Sequence, residues 1–272
     1  MLLKDYFPNL QKKYHKLNFK GIAFNSKEVK DGYIFFAFKG NNTDGNLFTK
    51  DAIKNGSKII ITDKLETDSW KNNVLFLKCN NPRNLMAKFS SKIFNKKPNN
   101  IIGVTGTNGK SSIANFYFQI LTLNGVKAAS IGTLGVNGLK VKKNFSNTTF
   151  DTIQLNKILE KLKEKKIENV ILEASSHGLN QNRLDGLEFD IGIFTNLTRD
   201  HLDYHKTFKN YFNSKLILFK NLLKKKSIAI YDNDLKISSR LNKITKLNKI
   251  KKLTLGNTKS SFSIIDHQFL KD

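Results

Sequence analysis

The chain has 272 residues, 39% of them hydrophobic, which suffices to bury a core in one large or two ordinary domains and excludes a peptide or a disordered tail. Its net charge of +25 comes from 47 basic against 22 acidic residues, and nearly all of the excess is lysine, since arginine occurs only at Arg83, Arg183, Arg199 and Arg240. Lysine spread through Asn-, Ile- and Phe-rich text lacks the bidentate fork that reads bases and grips phosphates, so the charge argues against nucleic acid as a partner.

In chain order, residues 21–63 read as a small α/β unit: a strand over 33–38, a helix over 47–55 and a strand over 58–62. After a strand at 74–77, Asn81-Pro82 predicts a helix start. Leu85, Met86, Phe89, Ile93 and Phe94 then recur at helical spacing. The polar stretch Lys96-Lys97-Pro98-Asn99-Asn100 predicts a boundary, giving domains over 1–97 and 98–272. Beyond it, strands at 101–105, 128–131, 170–174, 191–196 and 228–231 alternate with helices at 111–123, 152–163, 208–223 and from 234 onward. That rhythm predicts an α/β fold whose mostly parallel sheet is covered on both faces. Last strands are expected near 253–255 and 262–265, and with only a few residues after them the sheet is expected to be unfinished. Cys79 is the lone cysteine, no apolar h-region opens the chain, and no run reaches ~18 apolar residues. A cytoplasmic protein with no membrane partner is therefore expected.

Three loops carry the chemistry. Gly103-Val104-Thr105-Gly106-Thr107-Asn108-Gly109-Lys110-Ser111-Ser112 follows a strand and opens a helix, the context a phosphate-binding loop requires. Backbone N–H groups and the helix N-terminus would face the phosphates, Lys110 would neutralise β/γ oxygens, and the Ser111 hydroxyl would ligate Mg²⁺. The first glycine falls one place earlier than the general spacing, and the bland alternative is a Gly-rich turn with a chance Gly-Lys-Ser. The second loop, Glu173-Ala174-Ser175-Ser176-His177-Gly178-Leu179 with Gln181 and Arg183, begins at a strand's C-terminal end, where ligands bind in open α/β sheets. Glu173 would meet the Ser111 metal and Arg183 would hold a phosphate or carboxylate; equally, the serines and histidine would merely cap backbone. The third, Thr195-Asn196-Leu197-Thr198-Arg199-Asp200-His201-Leu202-Asp203-Tyr204-His205, lacks zinc-site spacing. Beside a phosphate loop it suggests Mg²⁺ or Mn²⁺ coordination through His201, with Asp200 and Asp203 orienting the loop, although an isolated histidine is more often structural.

In this order G-x-x-G-T-N-G-K-[ST], E-x-S-S-H-G-L-x-x-x-R and T-N-L-x-R-D-H-L-D-Y-H resemble the Mur ligases over nearly all of the chain. Phe24-Asn25-Ser26-Lys27, Asp31-Gly32-Tyr33-Ile34-Phe35-Phe36-Ala37 and the Gly40 to Gly45 segment are similar to that family's uridine-binding domain. The resemblance implies an N-terminal UDP-MurNAc-binding domain and a P-loop central domain. The implied enzyme is a monomer that uses ATP and Mg²⁺ to add a diamino acid, meso-diaminopimelate or L-lysine, to UDP-MurNAc-L-Ala-D-Glu.

Carried over by position, Gly106, Thr107, Asn108, Gly109, Lys110, Ser111, Ser112 and Asn196 would hold ATP. Ser111, Glu173, His201 and a carbamoylated Lys215 would hold magnesium, with Lys110, Glu173, His201 and Lys215 as the catalytic set. Phe24, Ser26, Asn41, Asn42 and Thr43 would line the uridine site. Asn147, Thr148, Thr149, Ser175, Gln181 and Arg183 would hold the pyrophosphate and muramoyl peptide. Read without the resemblance, Lys215 is a snorkelling surface lysine. Asn25-Ser26-Lys27 replaces the family's Asp-Ser-Arg, and Phe150 replaces the proline of Thr-Thr-Pro. The family also carries a C-terminal amino-acid-binding domain that the 272 residues do not supply; Asn81-Pro82-Arg83 is similar to its motif in letters only. The central domain is thus expected to be incomplete and the chain to ligate little by itself, because proximity and water exclusion need a closed cleft. Alternatives are another ligase of the superfamily, of the MurF or folylpolyglutamate type, or a non-catalytic basic binding module.

Overall fold

A computed structural model describes residues 1–7, 9–40, 43–139, 148–256 and 260–263. The chain divides into two units, Met1–Asn95 with Thr152–Asn156, and Lys96–Asp151 with Lys157–Asp272.

The first unit contains β1 (Gly21–Ala23), β2 (Tyr33–Ala37), α1 (Thr49–Lys54), β3 (Ile59–Thr62), β4 (Ser69–Lys71), β5 (Val74–Lys78) and α2 (Pro82–Ile93). Its sheet order is β1-β2-β3-β5-β4, parallel except for β4 against β5. Strands β2 and β3 are apolar on both faces because both are covered. Ile34 and Phe36 join a core with Leu85, Met86 and Phe89 of α2, whereas Phe35 and Ala37, one residue out of phase, pack with Ala52 of α1. Asn81 caps α2 by accepting from Asn84 N at 3.0 Å, with Pro82 in the first turn. The helix expected over 47–55 is shorter. The Asp44 carboxylate accepts from Asn46 N at 3.0 Å and starts a 3₁₀ turn over Gly45–Phe48, so α-helix begins only at Thr49.

The second unit is built on β6 (Asn100–Thr105), α3 (Lys110–Leu123), β7 (Ala128–Gly132), β8 (Gly135–Asn137), α4 (Thr152–Glu164, whose first turn counts with the first unit), β9 (Asn169–Glu173) and α5 (Ser176–Asn180). It continues with β10 (Phe189–Phe194), α6 (Leu202–His205), α7 (Phe208–Ile217), β11 (Leu223–Asp232), α8 (Ser238–Leu247), β12 (Lys251–Gly256) and β13 (Phe262–Ser263). The expected helix over 208–223 ends early in a π-helical turn at Leu218–Leu222, and β11 is longer than expected.

Strand order is β13-β12-β11-β10-β6-β9-β7-β8, antiparallel only where β8 returns along β7. From β6 the chain moves out to β7 on one side, returns to β9 beside β6, and then places β10 on the other side. This is a topological switch point, where the carboxyl ends of neighbouring parallel strands open a crevice. Val104 lies opposite Glu173 and Thr105 opposite Phe194, so the loops leaving β9, β6 and β10 emerge side by side.

Candidate active site

The loop leaving β6 turns at Gly106, whose φ is +146°. A Cβ there would lie 1.9 Å from Thr195 Oγ1 and 3.0 Å from Asn196 N, so the absence of a side chain lets this loop meet the β10 loop. The motif's first glycine, Gly103, is instead a strand residue. Its missing Cβ makes room for Leu218 and Phe189, which explains the shifted spacing. Hydrogen bonds join the loops, among them Thr195 N to Thr105 O (2.9 Å), Thr107 N to Asn196 O (3.0 Å), Asn108 N to Asn196 Oδ1 (2.9 Å) and Thr195 Oγ1 to Asn108 O (2.6 Å). Gly109, at φ +83°, precedes α3, so the first N–H groups of that helix open onto the loop. Ser112 is exposed in its first turn.

Two lysines converge on one carbonyl. Lys110 Nζ donates to Gly106 O at 3.0 Å and Thr107 O at 2.7 Å, and Lys215 Nζ, from α7, donates to Gly106 O at 2.6 Å. Lys215 is 1% exposed and lies over the Tyr211 ring, 4.4 Å from its centroid. Burial, then the like charge of Lys110, push its pKa down to about 7, and burial also lowers that of Lys110. The unfolded chain therefore binds more protons between about 7 and 10.5, so Lys215's contribution is full above 10.5 and is lost as pH falls toward 7. In carbonate-free buffer, Lys215→Met should raise the urea midpoint more at about pH 6 than at about pH 9; an equal gain at both would show that the amine is not desolvated.

Glu173, at the end of β9, is 3% exposed. Its Oε2 accepts from Ser111 Oγ at 2.9 Å and Thr133 Oγ1 at 3.3 Å, and its Oε1 from Thr133 N at 2.9 Å. Gly132 makes this fit possible, because a Cβ there would lie 2.0 Å from Oε1. The carboxylate's hydrogen bonds thus come from hydroxyls and a backbone amide, with the charge of Lys110 close enough to act on it, an arrangement suited to a hard divalent ion. No group of three or more His, Cys, Asp or Glu among the described residues could hold a metal ion. One carboxylate and one hydroxyl suit magnesium, which takes its other ligands from phosphate and water.

The loop after β10 brings His201, at φ 51°, beside Asp200, with Nε2 3.5 Å from Oδ2. Its ring lies 4.8 Å from that of His177 and 6.3 Å from that of Tyr211. Burial lowers the pKa of His177 and pushes that of His205 down to about 4. Tyr211 links the loops, its hydroxyl 3.0 Å from Thr107 Oγ1, while Thr198 N donates to the same Thr107 oxygen at 3.0 Å.

In the β9 loop, Ser175 caps α5 by accepting from Gly178 N at 3.0 Å. Thr149 Oγ1 donates to Glu173 O at 2.8 Å and lies 2.9 Å from Ser175 Oγ, and Thr133 Oγ1 lies 3.0 Å from Thr148 Oγ1. Arg183 donates through Nη1 to Thr149 O at 2.5 Å and through Nε and Nη2 to Gln181 Oε1 at 3.0 and 2.7 Å.

In the first unit, Phe24 stacks on Phe38 at 6.2 Å between centroids, Ser26 is buried with its carbonyl accepting from Asn55 Nδ2 at 2.9 Å, and exposed Thr43 accepts from Gly40 N at 2.7 Å. Asn41, Asn42 and Asn147 lie outside the described residues. Sequence reasoning missed Tyr211, Gly132 and Thr133. Tyr211 carried a signal, since it precedes Lys215 by four residues on a helix and so shares its face; the turn after β7 carried none.

The β6 loop, its helix and the flanking strand ends define an α/β protein with a P-loop at its switch point. The Mur ligase middle domain model matches residues 104–271, and the model of the Mur ligase family catalytic domain matches residues 18–92. The chain belongs to the Mur ligase family. It is 41% identical over 263 residues to the UDP-N-acetylmuramoyl-L-alanyl-D-glutamate–2,6-diaminopimelate ligase of Rickettsia conorii, covering 94% of this chain and 53% of that protein. A solved structure of a ligase of that name superposes with a TM-score of 0.80 at 29% identity, over 95% of this chain and 53% of the other. MurF ligase from Thermotoga maritima, in complex with ADP, shares the fold at a TM-score of 0.54 and 20% identity, over 89% of this chain and 51% of that one. The chain spans about half the length of the curated relatives it matches. Among the described residues no helix is long and apolar enough to cross a membrane.

Proposed function

We propose that the chain carries the nucleotide-sugar and ATP-handling parts of an amide ligase that adds diaminopimelate to UDP-MurNAc-L-Ala-D-Glu for peptidoglycan synthesis in the cytoplasm. The carrying observation is the convergence of Lys110 and Lys215 on Gly106 O beside the Ser111–Glu173 pair. A carboxylate does not condense with an amine in water because oxide is too poor a leaving group. Phosphorylation removes the obstacle: the D-glutamyl carboxylate oxygen takes the γ-phosphoryl group of ATP, leaving ADP and an acyl phosphate. The amine nitrogen then attacks the carbonyl carbon, a proton leaves the nitrogen, and phosphate departs with the C–O bonding pair.

In this reading the backbone of residues 106–112 and the N-terminus of α3 cradle the triphosphate, Lys110 sits on its β/γ oxygens, and Asn196 holds the loop in shape. Ser111 and Glu173, joined by His201 and a carbamoylated Lys215, would hold Mg²⁺, which when bound screens the triphosphate from the approaching carboxylate. Carbamoylation is supported by burial of the Lys215 amine beside Lys110, which leaves part of it neutral and nucleophilic toward CO₂ near neutral pH. The resulting anion also removes the like-charge contact. Phe24, Ser26, Asn41, Asn42 and Thr43 take the uridine nucleotide. Asn147, Thr148, Thr149, Ser175, Gln181 and Arg183 take the diphosphate and the muramoyl peptide, Arg183 bidentately.

Calorimetric titration of the chain tests this reading. Saturable binding of both MgATP and UDP-MurNAc-L-Ala-D-Glu, with Kd values on the order of micromolar to a millimolar, is expected. Binding of a folate but not the sugar peptide would point to the folylpolyglutamate type instead, and salt-sensitive RNA retention without nucleotide affinity would replace the enzyme with a basic binding module.

A further inference from the structure

Tyr204 lies on α6, three residues beyond His201, and its hydroxyl is engaged on both sides: it accepts from Gln181 Nε2 at 3.1 Å and donates to Asn180 Oδ1 at 3.0 Å. The ring packs against His177 at 4.2 Å and His205 at 4.7 Å between centroids. Gln181 is buried, and both of its amide ends are in use, because Oε1 accepts twice from Arg183 while Nε2 points to the tyrosine. Only one orientation of that amide works. Flipped, its NH₂ would face the guanidinium donor to donor and its oxygen would replace the donor to Tyr204. The guanidinium, which can only donate, sets the amide's orientation, and the phenol oxygen, with its own hydrogen given to Asn180, anchors the amide's other end by accepting from Nε2, while Thr149 O holds the guanidinium's other edge.

We propose that Tyr204 is a positioning residue for substrate recognition, holding Arg183 through Gln181 in the orientation that takes anionic oxygens of the UDP-sugar peptide. It thereby ties the loop after β9 to the loop after β10 that bears His201. The inference rests on the proposed function for the identity of the ligand and on hydrogen bonding alone for the relay. The relay's hydrogen bonds run from Asn180 through Tyr204 and Gln181 to Arg183 and Thr149, so affinity for MgATP serves as the internal reference.

Tyr204→Phe keeps the ring packing and deletes only the hydroxyl. In the ligand-free chain, hydrogen exchange of the Arg183 Nε–H, followed by ¹⁵N NMR, should speed up about two- to tenfold, the worth of one part-buried hydrogen bond. Calorimetry should show the Kd for UDP-MurNAc-L-Ala-D-Glu rising by a similar factor with that for MgATP unchanged. In a Gln181→Ala background the same substitution should add nothing, because the link is already cut. Unchanged Arg183 exchange, equal weakening of both ligands, or the same factor in the Gln181→Ala background would each overturn the proposal. If the wild-type chain bound no sugar peptide, the proposed function would fall and take the ligand assignment with it. The exchange measurement would still decide whether Tyr204 orders Arg183.

Discussion

Gly106→Ala should destabilise the second unit by roughly 2–5 kcal/mol, combining an unfavourable backbone conformation with a steric overlap. The added methyl would sit 1.9 Å from Thr195 Oγ1 at a φ of +146°, and Asn196 N and O are close behind at 3.0 and 3.1 Å, so the backbone of the β10 loop must move. The same carbonyl group anchors Lys110 and Lys215, and its displacement should release both. A lowered chemical-denaturation midpoint together with loss of MgATP binding is the expected pair of results. Gly109→Ala provides the comparison, since nothing lies within 4 Å of a Cβ there and only its φ of +83° is unfavourable. It should cost about 1 kcal/mol. Equal effects at the two glycines would show that the contact between the β6 and β10 loops is not what requires Gly106.

Gly132→Ala should act on the metal side of the site instead, by displacing Glu173. Its Cβ would fall 2.0 Å from Glu173 Oε1, 2.4 Å from Cδ and 2.5 Å from Cγ, so the whole buried side chain, and not its carboxylate alone, must move. Ser111 and Thr133 then lose their acceptor. The expected outcome is a stability loss of about 1–3 kcal/mol and a roughly 10- to 100-fold loss of the magnesium-dependent part of ATP affinity. Affinity for metal-free ATP should change little. Titrations with and without Mg²⁺ separate the two, and an undiminished magnesium effect would remove Glu173 from the metal's surroundings.

The contrast between these glycines shows what a single sequence makes legible. The strands β2, β3, β6 and β9 were readable because each is a continuous apolar run, and α2 because Asn81, Pro82 and the 85-86-89-93 spacing agree. The short elements β8, α5 and α6 were not, since three to five residues show no period. The π-helical turn at Leu218–Leu222 hid inside a run that reads as plain helix, and the 3₁₀ turn before α1 depends on a side-chain contact by Asp44.

The three chemical loops could each be placed after a strand, but their meeting depends on the order β10-β6-β9, which arises from pairings between residues about 70 to 90 positions apart. Gly132 and Thr133 escaped notice for the same reason, because their role is defined by Glu173, forty residues downstream of Thr133. Lys215 looks like a surface lysine in isolation. Its burial follows from α7 laying it against Tyr211 and Gly106 O, a tertiary event with no local sign.

A crystal structure of the chain with Mg²⁺ and a non-hydrolysable ATP analogue is the most direct test of the site. The triphosphate should lie along the backbone N–H groups of residues 106–112, with Lys110 on its terminal oxygens and the metal bound by Ser111 Oγ and the Glu173 carboxylate. A nucleotide bound elsewhere, or a metal with neither residue among its ligands, would contradict the account.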